Sequence, residues 1–214
     1  MTFRMYLTDE DQYILQFVEE HGSITVTQAQ NMFYKKQSKG YEMARRHLQK
    51  IVSYNRLSVS KDFNSNRNVY YTDKIPSYHT ILMLDYYAHL VKAGATIRYF
   101  KMEQPWMKLE NGKPRYFSDA YALYQIGKKV IFDIVEVVRT KTVETQKYIN
   151  IYNSNEAHEL SDNLYQQMGG EKRDLFPHLI IIDNVKHIKD LYVSDDIKVI
   201  QLDFNFSDFS KIFV

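Results

Sequence analysis

A chain of 214 residues, 44% hydrophobic and 25% charged, has the composition of an ordinary globular protein and length for one large domain or two small ones. Its lack of cysteine excludes a disulfide framework and a thiolate metal site. The opening Met1-Thr-Phe-Arg-Met-Tyr6 lacks the apolar core of a signal peptide. No apolar run approaches the roughly 18 residues needed to span a bilayer, so the expectation is a cytoplasmic protein without membrane contact.

The net charge of +2 conceals an asymmetry. Between Tyr34 and Arg67 stand nine cations (Lys35, Lys36, Lys39, Arg45, Arg46, Lys50, Arg56, Lys61 and Arg67) against Glu42 and Asp62. That window carries +7, and the remaining chain therefore carries −5. Positive charge gathered in one segment is the electrostatic footprint of nucleic-acid contact. A solvated basic helix is the plainer alternative.

Taken in order, Thr8 can cap a first helix whose first turn holds Asp9, Glu10 and Asp11. Ile14, Leu15 and Val18 form its buried stripe, and His21-Gly22 ends it. Ser23 to Thr25 reads as extended, and Thr25 can cap a second helix to Tyr34 with Ala29, Met32 and Phe33 inward. A third helix from about Ser38 puts Tyr41, Ala44, Leu48, Ile51 and Val52 on one face. Its other face carries Lys39, Arg45, Arg46, Gln49 and Lys50. Arg56 to Lys61 and Asn68 to Thr72 are β-prone around the polar turn from Asp62 to Arg67.

Three helices and a hairpin is the order of a winged helix-turn-helix, whose third helix enters the major groove. Arg45, Arg46 and Gln49 have the chemistry to read base edges. Lys61 and Arg67 at the hairpin tip suit phosphates, and Lys35, Lys36, Lys39 and Lys50 complete the candidate DNA-binding set. Pro76 marks the expected boundary, giving domains 1–75 and 76–214.

Beyond it, Ser77 to Ala93 reads as a helix with Ile81, Leu84, Tyr87, Ala88 and Val91 on one stripe, and Ala95 to Phe100 as a short strand. Met102 to Lys113, with Pro105 and Trp106, reads as irregular. Arg115 to Tyr124 and Lys128 to Val138 should pair as a hairpin through Gln125-Ile-Gly127. Thr142 to Tyr152 and Asn155 to Met168 fit helices. Pro177 to Asp183 is a continuous apolar strand of a parallel or central position, and Ile197 to Leu202 is a last strand. The fold class is therefore α/β (α+β) with a mixed central sheet.

The run Arg115-Tyr-Phe-Ser-Asp-Ala-Tyr121 followed by Val135-Glu-Val-Val138 resembles the paired strands of PD-(D/E)XK nucleases. In that pattern two carboxylates on adjacent strands hold Mg²⁺ and a lysine two residues after the glutamate orients the attacking water. The resemblance assigns Asp119 and Glu136 as metal ligands. It places Val138 where the lysine belongs, with Lys147 on the following helix as the nearest substitute. With the winged helix ahead of it, and Lys147 and Tyr152 behind, the chain resembles the replication-relaxation family of Gram-positive mobile elements. That resemblance implies a double-stranded DNA-binding protein acting in replication, conjugative transfer or transcriptional control of a plasmid, phage or integrative element. It also implies a degenerate, inactive nuclease-like domain, with replication or transfer proteins as partners. A two-fold homodimer fits, because one winged helix alone gives little specificity.

Other chemistries find little support. His21, His47, His79, His89, His158, His178 and His187 show no ligand spacing, which speaks against zinc. There is no glycine-rich phosphate loop and no nucleophile elbow. No cofactor is expected, save Mg²⁺ if the rival reading, a metal-dependent endonuclease using Asp119 and Glu136, holds.

Overall fold

The computed structural model describes residues 6–109, 111–139, 143–171, 176–184 and 191–213. Thr142 and His187, named above, lie outside them. Two units divide the chain, Met1–Ala93 and Gly94–Val214. Among the described residues no helix is long and apolar enough to cross a membrane.

In the first unit α1 (Asp9–His21) begins with a capping box. The Thr8 hydroxyl accepts the Asp11 amide at 3.3 Å, and Asp11 Oδ2 accepts the Thr8 amide at 2.7 Å. Gly22 ends the helix at φ +87°, where a side chain would be strained. Strand β1 (Ser23–Thr25) runs into α2 (Val26–Phe33), whose own capping box joins Thr25 and Gln28. Helix α3 (Gly40–Ser53) follows, then β2 (Ser58–Lys61), β3 (Asn68–Tyr71) and α4 (Tyr78–Lys92). The three strands form an antiparallel sheet in the order β1-β3-β2.

Four expectations need correction here. Helix α3 starts at Gly40, not Ser38, because the residues before it are spent in turns, the Gln37 amide donating to Tyr34 O and the Gly40 amide to Gln37 O at 3.0 Å each. Glycine is needed at 40 because a Cβ there would lie 2.5 Å from the Tyr34 carbonyl oxygen. Its buried face is Gly40, Ala44, Leu48 and Ile51, while Tyr41 is 46% exposed. Burial of Leu48 and Ile51 contributes about 2 kcal/mol each. Phe33, expected inward on α2, is 37% exposed with its ring edge-on to Phe17, and Gln28 is the buried residue of the pair. Its amide donates to Ile81 O at 3.0 Å and Asp85 Oδ1 at 2.8 Å on α4. That packing moves the boundary from 75/76 to Ala93, and α4 belongs to the first unit.

The second unit is a five-stranded mixed sheet, β4-β5-β6-β7-β8. β4 (Thr96–Lys108), β5 (Pro114–Ile126) and β6 (Lys129–Val138) are antiparallel. β7 (His178–Asp183) and β8 (Val199–Asp203) continue parallel to β6, so the apolar β7 is paired on both sides. The segment read as irregular, Met102 onward, is strand: β4 is continuous through Pro105 and Trp106. An edge strand tolerates Pro105 because its missing N–H leaves no partner unserved. Trp106 is buried, its indole donating to Ser118 Oγ at 3.0 Å. Helices α5 (Thr145–Asn153) and α6 (Glu156–Gln167) cover one face of the sheet. Tyr148, Ile151 and Ala157 pack there on Tyr121, Leu123, Phe132, Ile134 and Val138.

Candidate nucleic-acid interface and carboxylate cluster

The cations of the first unit fall into two groups. One lines a cleft of about 350 Å³ between the N-terminus of α2, one side of α3 and the β2–β3 hairpin. Thr25, Val26 and Thr27 form its floor, Tyr41, Arg45 and Gln49 one wall, and Lys61, Asn66, Arg67, Asn68 and Tyr70 the other. Tyr41, Arg45 and Gln49 recur every four residues, which puts them in one row along α3. The antiparallel register sets Lys61 opposite Asn68 and so on one side of the hairpin.

Arg45 is held at this wall by its own helix. Its Nη2 lies 2.9 Å from Glu42 Oε2, and Nη1 lies 3.4 Å from Gln49 Oε1. Both members of the Arg45–Glu42 pair are nearly half exposed, so the pair is weak and exchangeable. Gln49, Lys61, Lys36, Lys39 and Arg46 are exposed, although Arg46 does not line the cleft. The row that faces the hairpin is thus Tyr41, Arg45 and Gln49, with Tyr41 missed because its ring looks like a core residue in the sequence.

The other cations tie elements together. Arg67, expected as a phosphate contact, forks onto Asp85, Nη1 to Oδ1 at 3.0 Å and Nη2 to Oδ2 at 2.7 Å. Asp85 is buried, and with Gln28 the pair fastens the hairpin to α2 and α4. Lys50 Nζ lies 2.6 Å from Asp11 Oδ2, and His47 Nδ1 2.7 Å from Asp11 Oδ1, which pins α3 to α1. Burial alone would raise the pKa of Asp11, but hydrogen bonds from Lys50, Thr8 and His47 outweigh it and hold the carboxyl below its ordinary range. Lys35 Nζ donates to Val91 O at 2.6 Å, closing the end of α4.

In the second unit the residues assigned to catalysis do meet. The β5–β6 register runs out at Ala120 opposite Val135, and there Asp119 Oδ2 accepts the Val137 amide at 2.7 Å. Lys147 Nζ, from α5, lies 2.9 and 3.0 Å from the two oxygens of Glu136. Tyr148, next to Lys147 on α5, is buried beside Glu136 and interacts with it electrostatically. Burial first, then the neighbouring charge of Asp119, raises the Glu136 pKa, and Lys147 and Tyr148 oppose the rise. Burial and the Glu136 charge push the Tyr148 hydroxyl far up, so it stays a neutral donor. Val138 is buried in the apolar cluster and offers nothing to the site. Tyr148 carried no sequence signal beyond its place beside Lys147.

Two carboxylates are a donor set that Mg²⁺ accepts when water completes its shell. Asp119 and Glu136 would hold it, with Lys147 competing for both Glu136 oxygens. Among the described residues no group of three or more His, Cys, Asp or Glu converges on a metal position. No family model matches the chain, and no curated protein or solved structure matches it significantly.

Proposed function

We propose that the chain is a sequence-specific double-stranded DNA-binding protein whose first unit is a winged helix. The observation that carries this is the cleft in which Arg45 and Gln49 of α3 face Lys61 of the hairpin, within the +7 segment. Helix α3 would enter the major groove, where arginine reads guanine and glutamine reads adenine. Lys61 and the first-turn amides of α2 would meet the flanking phosphates. The resemblance to mobile-element proteins adds a setting in replication, transfer or transcriptional control. A titration of labelled duplexes, followed by anisotropy, tests this. Binding that weakens in Arg45→Ala supports the reading, and indifference to that change argues for a protein-interaction module instead.

A second reading, metal-dependent phosphodiester cleavage, is favoured by one contact. Lys147 brings to Glu136 the ammonium that β6 lacks at Val138. Bound Mg²⁺ would polarise the scissile phosphate, while Lys147 would supply a positive charge beside it. Plasmid incubated with Mg²⁺ or Mn²⁺ decides: nicking abolished in Asp119→Ala supports catalysis, and intact plasmid leaves a binding scaffold.

A further inference from the structure

Phe63 sits in the turn between β2 and β3 with a relative exposure of 101%, so its ring is left uncovered by the described residues. A solvated phenylalanine at a floppy tip would need no explanation, but this tip is tightly built. Asp62 Oδ2 accepts the Ser65 amide at 2.6 Å and the Ser65 hydroxyl at 2.5 Å. The Asp62 amide donates to Arg67 O at 2.9 Å, and the Asn66 amide donates to Asp62 O at 2.9 Å. Asn66 takes φ +57°, a conformation that asparagine tolerates. Arg67, two bonds deep in Asp85, anchors the base of the turn to α4. The backbone is thus fixed in the arrangement that holds the ring out in water.

The neighbours of Phe63 give it a direction. Phe63 follows Lys61, the last residue of β2, by two positions in the turn that closes the hairpin, and Val59, also exposed at 44%, pairs with Tyr70. Lys61, Asn66, Asn68 and Tyr70 of the same hairpin line the basic cleft. An apolar ring therefore projects at the rim of a cationic surface. Proteins that press such a surface on duplex DNA use apolar side chains to part neighbouring base pairs.

We infer that Phe63 is a wedge that inserts between two base pairs beside the groove occupied by α3, unstacking one step and bending the duplex. This rests on the proposed DNA-binding role of the first unit. Base stacking is the chemistry that a phenyl ring offers, and it is tolerant of sequence. The wedge should favour pyrimidine–purine steps, which part most easily. It would add selectivity at a position that no hydrogen-bonding side chain reads.

The test uses the full chain and a duplex selected by it from a random pool, with 2-aminopurine at successive steps and a fluorophore pair at the ends. The wild type should raise 2-aminopurine fluorescence at one step and shorten the end-to-end distance. Phe63→Ala should bind about tenfold more weakly and lose both signals with an unchanged melting temperature, and Phe63→Trp should restore them. Arg45→Ala should weaken binding yet unstack the same step at saturating protein. The wedge is overturned if the wild type unstacks no step, or if Phe63→Ala keeps affinity and both signals while Arg45→Ala is weakened. If the wild type binds no duplex, the wedge and the DNA-binding reading fall together.

Discussion

Lys147 reaches both oxygens of Glu136, at 2.9 and 3.0 Å, from a helix and not from the strand that carries the glutamate. The side chains are only 10% and 20% exposed, so removing one leaves a charge stranded in a low dielectric. Glu136 has a raised folded-state pKa, and its ionisation opposes folding. That opposition is absent below the ordinary carboxylate value and grows as pH rises through the folded-state value. Lys147→Met should cost about 3 kcal/mol at about pH 8 and clearly less at about pH 5. Urea denaturation at the two pH values checks this, and an equal loss at both would show that Glu136 is not the partner that matters.

Arg67→Ala should behave as a core lesion, not as a lost phosphate contact. Its partner Asp85 is 6% exposed and would keep only Gln28. A loss of about 3 kcal/mol is expected, with Arg67→Lys milder because it keeps a cation beside Asp85, though not neutral because one ammonium cannot reproduce the two-point fork. Thermal melting measures both. Unchanged stability in Arg67→Ala would return Arg67 to the solvent-facing role that the sequence suggested.

Asp11 gives a pH signature of opposite sign to Glu136. Its folded-state pKa is lowered, so its stabilisation is complete above the ordinary carboxylate value and is lost as pH falls through the folded-state value. Asp11→Asn should cost about 2 kcal/mol near neutrality through the cap and the ties to His47 and Lys50. The gap from wild type should close in acid, and a gap that stays constant with pH would contradict the assignment.

Arg45 and Lys61 should separate in DNA binding. Arg45→Ala is expected to weaken the selected duplex roughly tenfold while leaving random duplex little changed. Lys61→Ala should weaken every duplex and reduce the salt slope by about one ion. Titrations at several salt concentrations distinguish the two patterns.

The elements legible in the sequence were those set by local chemistry. Thr8, Thr25 and Ser77 each cap the helix that follows, and the β-branched β6 pairs with β5 as expected. What was hidden depended on partners distant in sequence. Arg67 and Lys50 look like surface cations until Asp85 and Asp11 are placed beside them, 18 and 39 residues away. Likewise Pro105 argued against a strand, since nothing local shows that β4 is an edge. Of the cluster, Asp119 and Glu136 were named by the resemblance to paired nuclease strands, and Lys147 only as the nearest substitute in sequence. Its contact with Glu136 needed the α5 packing.

The most direct test of DNA recognition is selection of bound duplexes from a random pool by the purified chain, with Arg45→Ala and Gln49→Ala in parallel. The account predicts a defined enriched site, with base preference lost at one position for each variant; two half-sites would also support a dimer. Absence of enrichment, or the same site chosen equally well by both variants, would contradict it.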